Sequence, residues 1–405
     1  MANTFKTRSD GDILRLMLAA FHNKSKFLKT CDRQHDKDFG QDGRKNAGSI
    51  LIKNPNEYTI GTTAAVSVQN ITETTQTFTV ATQNNVAVAI TSYERTMSED
   101  DFMQEVANPA MGRLVANVEY TCMGGLFPAV YNQTGTPATT PATIGCVLNA
   151  RARLMDELAP EDDLHLMLTP AAMAAVVGGA SAAYFHAASE LEKGFLEGYY
   201  GRGGGFKWWE STMIPRHTNG TRDDTTITAA PNTWANGDTS IVITGASGTF
   251  TVGDKFTVAT AYAVNQETKE TYDYLQQFVV TAANTNDGTD TISVSPTIYV
   301  SGAKQNVDVS TGGATDAIIN LTAGGSGAAS AKHRLTMAYH RTAFSVAFAP
   351  LPMPYGDKCT QTVVEGVPMR MWQFSDGGND THTTRFDVLY GYAALRPEWA
   401  CVCRG

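Results

Sequence analysis

The sequence predicts an α+β protein that carries an all-β, barrel-like segment within its chain, and three observations predict it. Strand-like alternation of Val, Ile, Thr and Phe fills residues 49 to 90 and returns after residue 332. Between these, apolar residues recur at helical spacing from Met111 to Cys122. At about Asn219 the texture changes to short β runs rich in Thr and Gly, and helix signals vanish.

Residues 1 to 45 are polar apart from Ile13 to Phe21, which reads as a short helix in an otherwise mobile arm. The runs SILIK, YTIGTTAAVSVQNI, QTFTVAT and VAVAI then read as strands, with turns at Asn54-Pro55-Asn56 and Asn84-Asn85. Ser98-Glu99-Asp100-Asp101 is a helix start, a serine cap followed by acids at the positive end of the dipole. Met111, Leu114, Val115, Val118 and Cys122 lie on one helical face, and Gly124-Gly125 is a stop signal. These predict one helix from about Ser98 to Met123, bent at Pro109.

An alternation of helix and strand follows. Thr140-Pro141 and Thr169-Pro170 each place a capping threonine before a proline at the first helical position. Ile144, Val147, Leu148, Met155 and Leu158 form an apolar stripe, Leu164 to Leu168 reads as a buried strand, and a further helix is expected from about Ser181 to Tyr200. GRGGGFKWWESTMIP returns as loop and strand.

Residues 222 to 328 read as a separate β-barrel-like or sandwich domain, with hairpin signals at Asn236-Gly237, Gly253-Asp254 and Asn286-Asp287-Gly288. The stretch AGGSGAASA closes it as a flexible linker. Long strands resume in HRLTMAYHRTAFSVAFAPLPMP, VVEGVPMRMWQF and FDVLYGYA, so the small domain reads as inserted into a host. At the end, Phe386, Val388, Tyr390 and Tyr392 alternate as in a strand, Arg396-Pro397-Glu398 stops it, and the terminus is expected to be docked.

A chain of 405 residues has room for two or three domains, and 42% hydrophobic with 18% charged residues describes a globular protein, not a disordered or fibrous one. No stretch approaches the eighteen apolar residues of a membrane span, and the start shows no signal cleavage site, so the chain reads as neither exported nor membrane-spanning. The net charge of −9 is uneven. Residues 221 to 331 hold four basic and eleven acidic side chains, a balance of −7, whereas residues 1 to 30 hold six basic and two acidic, a balance of +4.

No template for chemistry is completed. There is no Walker loop, GRGGGF lacks the dinucleotide spacing, no Gly-x-Ser-x-Gly elbow is present, and the eight histidines include no His-Glu-x-x-His. Six cysteines, at 31, 122, 146, 359, 401 and 403, form no Cys-x-x-Cys pair and read as reduced thiols. Cys401-Val402-Cys403 has no third metal ligand near it in sequence. Glu161-Asp162-Asp163 and Asp223-Asp224 are of the type that seats a cation or works as an acid/base couple, but such pairs more often solvate a loop. ANTNDGTD has Ala283 and Thr285 where a calcium loop needs its first ligands, and so reads as a hairpin turn. Phe206, Trp208-Trp209 and Tyr199-Tyr200 form an aromatic cluster suited to stacking a sugar or base, although packing beside a Gly-rich loop is its commoner role. The N-terminal Lys and Arg side chains suit either phosphate contacts or a solvated arm. No catalytic, metal or cofactor-binding residue is assigned, and no cofactor is expected.

GRLVANVEYTCMGGL (112 to 126), SGTFTVGDKFTVATAYAVNQETKETYDYLQQFVVT (247 to 281), HRTAFSVAFAPLP (340 to 352) and YGYAALRPEWACV (390 to 402), in this order, resemble the major capsid protein of tailed double-stranded DNA bacteriophages, with the Hong Kong 97-type fold. More narrowly the chain looks like the coat-protein subgroup of the Salmonella phage P-twenty-two, whose members carry an inserted domain. The resemblance implies an N-terminal arm at 1–45, an extended β loop and peripheral-domain strands at 46–97, and a spine helix at 98–131. An axial α/β domain at 132–221, an inserted β-barrel-like domain at 222–328 and returning strands of the axial and peripheral domains at 329–405 complete it. It further implies self-assembly, as hexamers and pentamers, into an icosahedral shell around the phage genome, with no enzymatic activity. The implied partners are a scaffolding protein during assembly, a portal protein at one vertex and packaged double-stranded DNA through non-specific contact, with no membrane. The implied place is the virion capsid, assembled in the cytoplasm of the bacterial host. Two departures stand out: the arm is net basic, where relatives present acids to a basic scaffold, and the β loop offers only Lys53 for the cross-linking of the fold's namesake. The rival reading is a phage tail or surface adhesion protein that binds carbohydrate through its β domain.

Overall fold

The computed structural model describes residues 25–39, 48–60, 64, 68–70, 73–91, 108–136, 139–183, 201–221, 227–245, 248–286, 288–309, 316–320, 330, 332–354, 358–364, 366–376, 378 and 381–405. The chain divides into two compact units, 1–52 with 76–122 and 345–393, and 53–75 with 123–344 and 394–405. Helices and strands are mixed in an α+β arrangement.

In the first unit the long strand Thr381–Ala394 is central. Val367–Asp376 pairs with it antiparallel on one side and itself pairs with Lys358–Val364. Thr82–Thr91 runs antiparallel along ten of its residues, from Thr381 opposite Thr91 to Tyr390 opposite Thr82. Asn84 and Asn85 therefore lie inside a strand and not in a turn. Asn84 Nδ2 donates to the Tyr390 hydroxyl at 3.0 Å and to Asn117 Oδ1 at 2.7 Å, which satisfies a polar side chain that otherwise favours turns. The strands Ser49–Lys53 and Thr75–Thr79 form a separate two-stranded sheet. The stretch YTIGTTAAVSVQNI contains no strand among its described residues, where Tyr58, Ile60 and Val68 are exposed. Alternation alone does not make a strand when no neighbouring ladder takes up its backbone groups.

Helix α1 spans Asn108–Leu126. Its inward stripe is the one the spacing predicts, since Met111, Leu114, Val115, Val118 and Cys122 are all buried. Gly124-Gly125 does not end the helix. Met123, Leu126 and Phe127 are buried, and their packing outweighs the roughly 1 kcal/mol cost of each glycine until Pro128 intervenes in the turn Phe127–Ala129. The start at Ser98 and the bend at Pro109 involve residues outside those described. Residues 25–39, within the stretch read as a mobile arm, are packed, with Phe27 and Cys31 fully buried and Leu28 and Phe39 nearly so. The Ile13 to Phe21 helix lies outside the described residues.

The second unit contains a six-stranded mixed sheet. Its order is Gln133–Thr134, Ala400–Cys403, Met337–His340, Leu164–Leu168, Phe206–Glu210 and Arg202–Gly203. The last strand of the chain thus sits in the interior of a sheet, parallel to Gln133–Thr134 and antiparallel to Met337–His340. Helices α2 (Ile144–Asp156) and α3 (Pro170–Ala183) supply Val147, Ala150, Leu154, Ala172, Met173 and Val176 to its apolar core. Thr169-Pro170 opens α3 as predicted, with Thr169 Oγ accepting from Ala172 N at 3.2 Å. Thr140-Pro141 opens nothing; α2 begins at Ile144 after an extended Thr143. Ser181 to Ala183 continue α3 and do not start a new helix, and residues 184–200 lie outside those described.

Between residues 228 and 320 the strands close into a ring: Lys255–Val264, Thr271–Val280, Thr289–Ile298, Asp238–Thr244, Thr228–Ala229, Asp316–Asn320 and back to Lys255–Val264, every pairing antiparallel. Closure removes the open edges that a small sheet would present. Ile227, Ile241, Ile243, Phe256, Val258, Phe278, Ile292 and Val294 form its core. Gly237 and Gly253, at the predicted turns, hold φ of +96° and +94°, which L side chains rarely adopt.

Candidate functional site

The residues that the sequence singles out for chemistry are occupied structurally. Cys401 and Cys403 lie in the sheet core beside Leu168 and Trp208, and burial pushes the Cys401 thiol up to about 11 and raises Cys403 as well. Asp163 accepts from Lys207 and lies 3.5 Å from Arg341; the Lys207 hydrogen bond is the main reason its carboxyl is held below the usual range. Phe206 and Trp208 are buried, with Trp208 Nε1 donating to Gly203 O at 2.8 Å, so neither offers a stacking face. Tyr199-Tyr200 and Asp223-Asp224 lie outside the described residues. Among the described residues no three His, Cys, Asp or Glu side chains group as a metal site.

The most elaborate polar arrangement ties the strand Thr271–Val280 to α2. The Arg153 guanidinium lies 4.1 Å from the Tyr274 ring centroid, donates through Nε to Asn132 Oδ1 at 3.1 Å, and is 3.4 Å from Glu157. Tyr272 and Tyr274 stack with centroids 5.0 Å apart. Their hydroxyls donate to the Asp156 carbonyl at 3.0 Å and the Asp156 carboxylate at 3.3 Å. Gln277 and Gln133 exchange two hydrogen bonds, at 2.6 and 2.9 Å. Burial pushes Glu157 up to about 7 even though Arg153 opposes the shift. The i, i+2 spacing of Tyr272 and Tyr274 placed them on one face in the sequence; nothing there named Asp156 or Arg153 as their partners.

A second polar group gathers around the paired strands Arg216–Thr218 and Lys332–Arg334, in which His217 is opposite His333 and Arg216 opposite Arg334. His217 Nε2 is 2.7 Å from Asp254 Oδ1. Arg216, Lys332 and Arg334 also line a cavity of about 530 Å³ with Thr140, Thr169 and Thr212, beside the start of α3.

In the first unit, Glu119 Oε1 accepts from the backbone N–H groups of Lys26 and Phe27 at 2.5 and 2.7 Å, fastening residues 25–39 to α1. Asp387, fully buried, accepts from Arg370 Nη2 at 2.6 Å and Nε at 3.2 Å, and from Arg385 Nε at 2.7 Å. The first of these clasps joins segments 92 residues apart in sequence, and the second ties neighbouring strands of one sheet.

The chain belongs to the P22 coat protein family: the family model described as P22 coat protein, gene protein 5, matches residues 51–403. It is a major capsid protein, a shell-forming component of a bacteriophage virion, and it self-associates. No curated protein matches it in sequence. Among solved structures it is similar to one from Mycobacterium phage Che8, at 9% identity and a TM-score of 0.48, covering 93% of this chain and 90% of that one. It is also similar to the asymmetric unit of the bacteriophage PhiM1 mature capsid, at 10% identity and a TM-score of 0.45, covering 99% and 91%.

Proposed function

We propose that the chain assembles, as hexamers and pentamers, into an icosahedral shell around double-stranded DNA on the Hong Kong 97-type plan, in the cytoplasm of a bacterial host. The family match over residues 51–403 carries this reading. In it, residues 1–45 are the arm, 46–97 the extended loop and peripheral strands, 98–131 the spine, 132–221 the axial domain, 222–328 the insertion and 329–405 the returning strands. Strand pairing supports the insertion. Thr228–Ala229 and Asp316–Asn320, the outermost strands of the ring in sequence, are neighbours, and just outside them Arg216–Thr218 pairs with Lys332–Arg334. An element whose two ends leave side by side can be accommodated in a host fold without disturbing it. A scaffolding protein, a portal protein and packaged DNA complete the proposed partners, and the exposed Arg216, Lys332 and Arg334 suit non-specific phosphate contact.

Negative-stain electron microscopy of the full chain expressed in bacteria, with and without its candidate scaffold, tests the proposal. Closed or spiral shells of uniform subunits are expected. Discrete monomers or trimers under every assembly condition would overturn it.

A further inference from the structure

The cavity of about 530 Å³ in the second unit is walled by Thr139 to Pro141, the start of α3, Thr212 and the paired strands Arg216–Thr218 and Lys332–Arg334. Arg216 and Arg334 stand directly opposite each other in this antiparallel pair, and Lys332 lies two residues before Arg334, so these cations share one face of the ribbon. Like charges placed opposite one another across strands repel. All three are exposed, none has an ion-pair partner among the described residues, and no described residue lining the cavity is acidic. Arg334 Nη1 donates to Ile214 O, which anchors the guanidinium and leaves its other N–H groups for a ligand.

Other walls bring donors as well. The N-terminus of a helix carries partial positive charge and N–H groups that have no acceptor within the helix, and α3 is 14 residues long. Pro170 has no N–H, Thr169 Oγ takes that of Ala172 at 3.2 Å and Thr169 O that of Met173 at 2.9 Å, which leaves the N–H of Ala171, a residue of the cavity wall. His333 also lines the cavity; it is 7% exposed, and neither ring nitrogen has a partner among the described residues. Burial holds its imidazole neutral, so it brings an N–H donor without adding charge.

We propose that this cavity binds a phosphate group. A carboxylate offers two oxygens to its surroundings, whereas a phosphate group presents acceptors to several walls at once, and the guanidinium fork matches two of them. Free phosphate and the phosphodiester backbone of a nucleic acid share this chemistry. The pocket stands on these residues; only its occupation by DNA rests on the shell reading.

Calorimetric titration of the full-length protein with inorganic phosphate, at constant ionic strength, tests the pocket. Arg216→Gln and Lys332→Gln should each weaken binding about tenfold, the effect of losing one charged hydrogen bond, whereas Lys53→Gln, outside the cavity, should leave it unchanged. Should the cavity variants fail to fold, phosphate should protect Lys332 but not Lys53 of the unaltered protein from acetylation. A fluorescein-labelled DNA duplex of random sequence separates the sources. A duplex displaced by phosphate and weakened by the two cavity substitutions identifies nucleic acid; one that fails to bind, or binds all variants equally, leaves free phosphate as the ligand. Absence of both phosphate binding and protection overturns the proposal, as does equal weakening in Lys53→Gln. Shells without phosphate binding overturn this inference alone, and phosphate binding without shells overturns the shell reading alone.

Discussion

The Arg153 guanidinium lies 4.1 Å from the centroid of the Tyr274 ring, so a cation on α2 is held against an aromatic on the strand Thr271–Val280. Arg153 is 6% exposed, and desolvation strengthens such a contact. Tyr274→Leu should cost about 2 kcal/mol by urea denaturation, whereas Tyr274→Phe, which keeps the ring and loses only the hydrogen bond to Asp156, should cost about 1 kcal/mol. Equal losses would show that the hydroxyl, not the ring, carries the contact.

Glu157 makes stability depend on pH in a defined window. Its carboxyl is raised by burial from 4.5 to about 7 in the folded chain. Between these values the folded state keeps a proton that the unfolded state has released, so stability falls as pH rises through the window and is level above it. The shift corresponds to at most about 3 kcal/mol. Glu157→Gln should flatten the profile from pH 4.5 to 7 and be the more stable protein at pH 8.

Glu119 decides whether residues 25–39 stay packed. Its carboxylate is 3% exposed and receives the Lys26 and Phe27 N–H groups. Glu119→Ala leaves those donors without it and should cost about 2–4 kcal/mol, with faster amide hydrogen exchange at residues 26 and 27. Glu119→Gln keeps an acceptor and should lose less than half as much.

Asp387 is a buried anion between Arg370 and Arg385. Asp387→Ala strands Arg370, itself mostly buried, and should lower stability by about 3–5 kcal/mol in chemical denaturation. Removing both sides, with Asp387→Leu and Arg370→Met together, should recover much of that loss, because two apolar groups avoid the desolvation cost that a lone charge bears.

Sequence alone determined what short-range stereochemistry controls. The buried face of α1, the start of α3 at Thr169-Pro170, the turns at Gly237 and Gly253 and the change of texture near Asn219 follow from periodicity, capping and backbone freedom, all local to a few residues. Tertiary structure decided where a local signal had to be weighed against partners far along the chain. Asn84-Asn85 has turn chemistry, yet Tyr390, 306 residues away, and the ladder with Thr381–Ala394 hold it in a strand. Gly124-Gly125 signals a stop, yet burial of Leu126 and Phe127 carries the helix past it. No local signal marks Lys255 or Arg404 for burial, yet they are 0% and 1% exposed. Their burial beside His333 exists because strands from three parts of the chain converge there, and the energy of a buried charge depends on its surroundings in space, which no window of sequence contains.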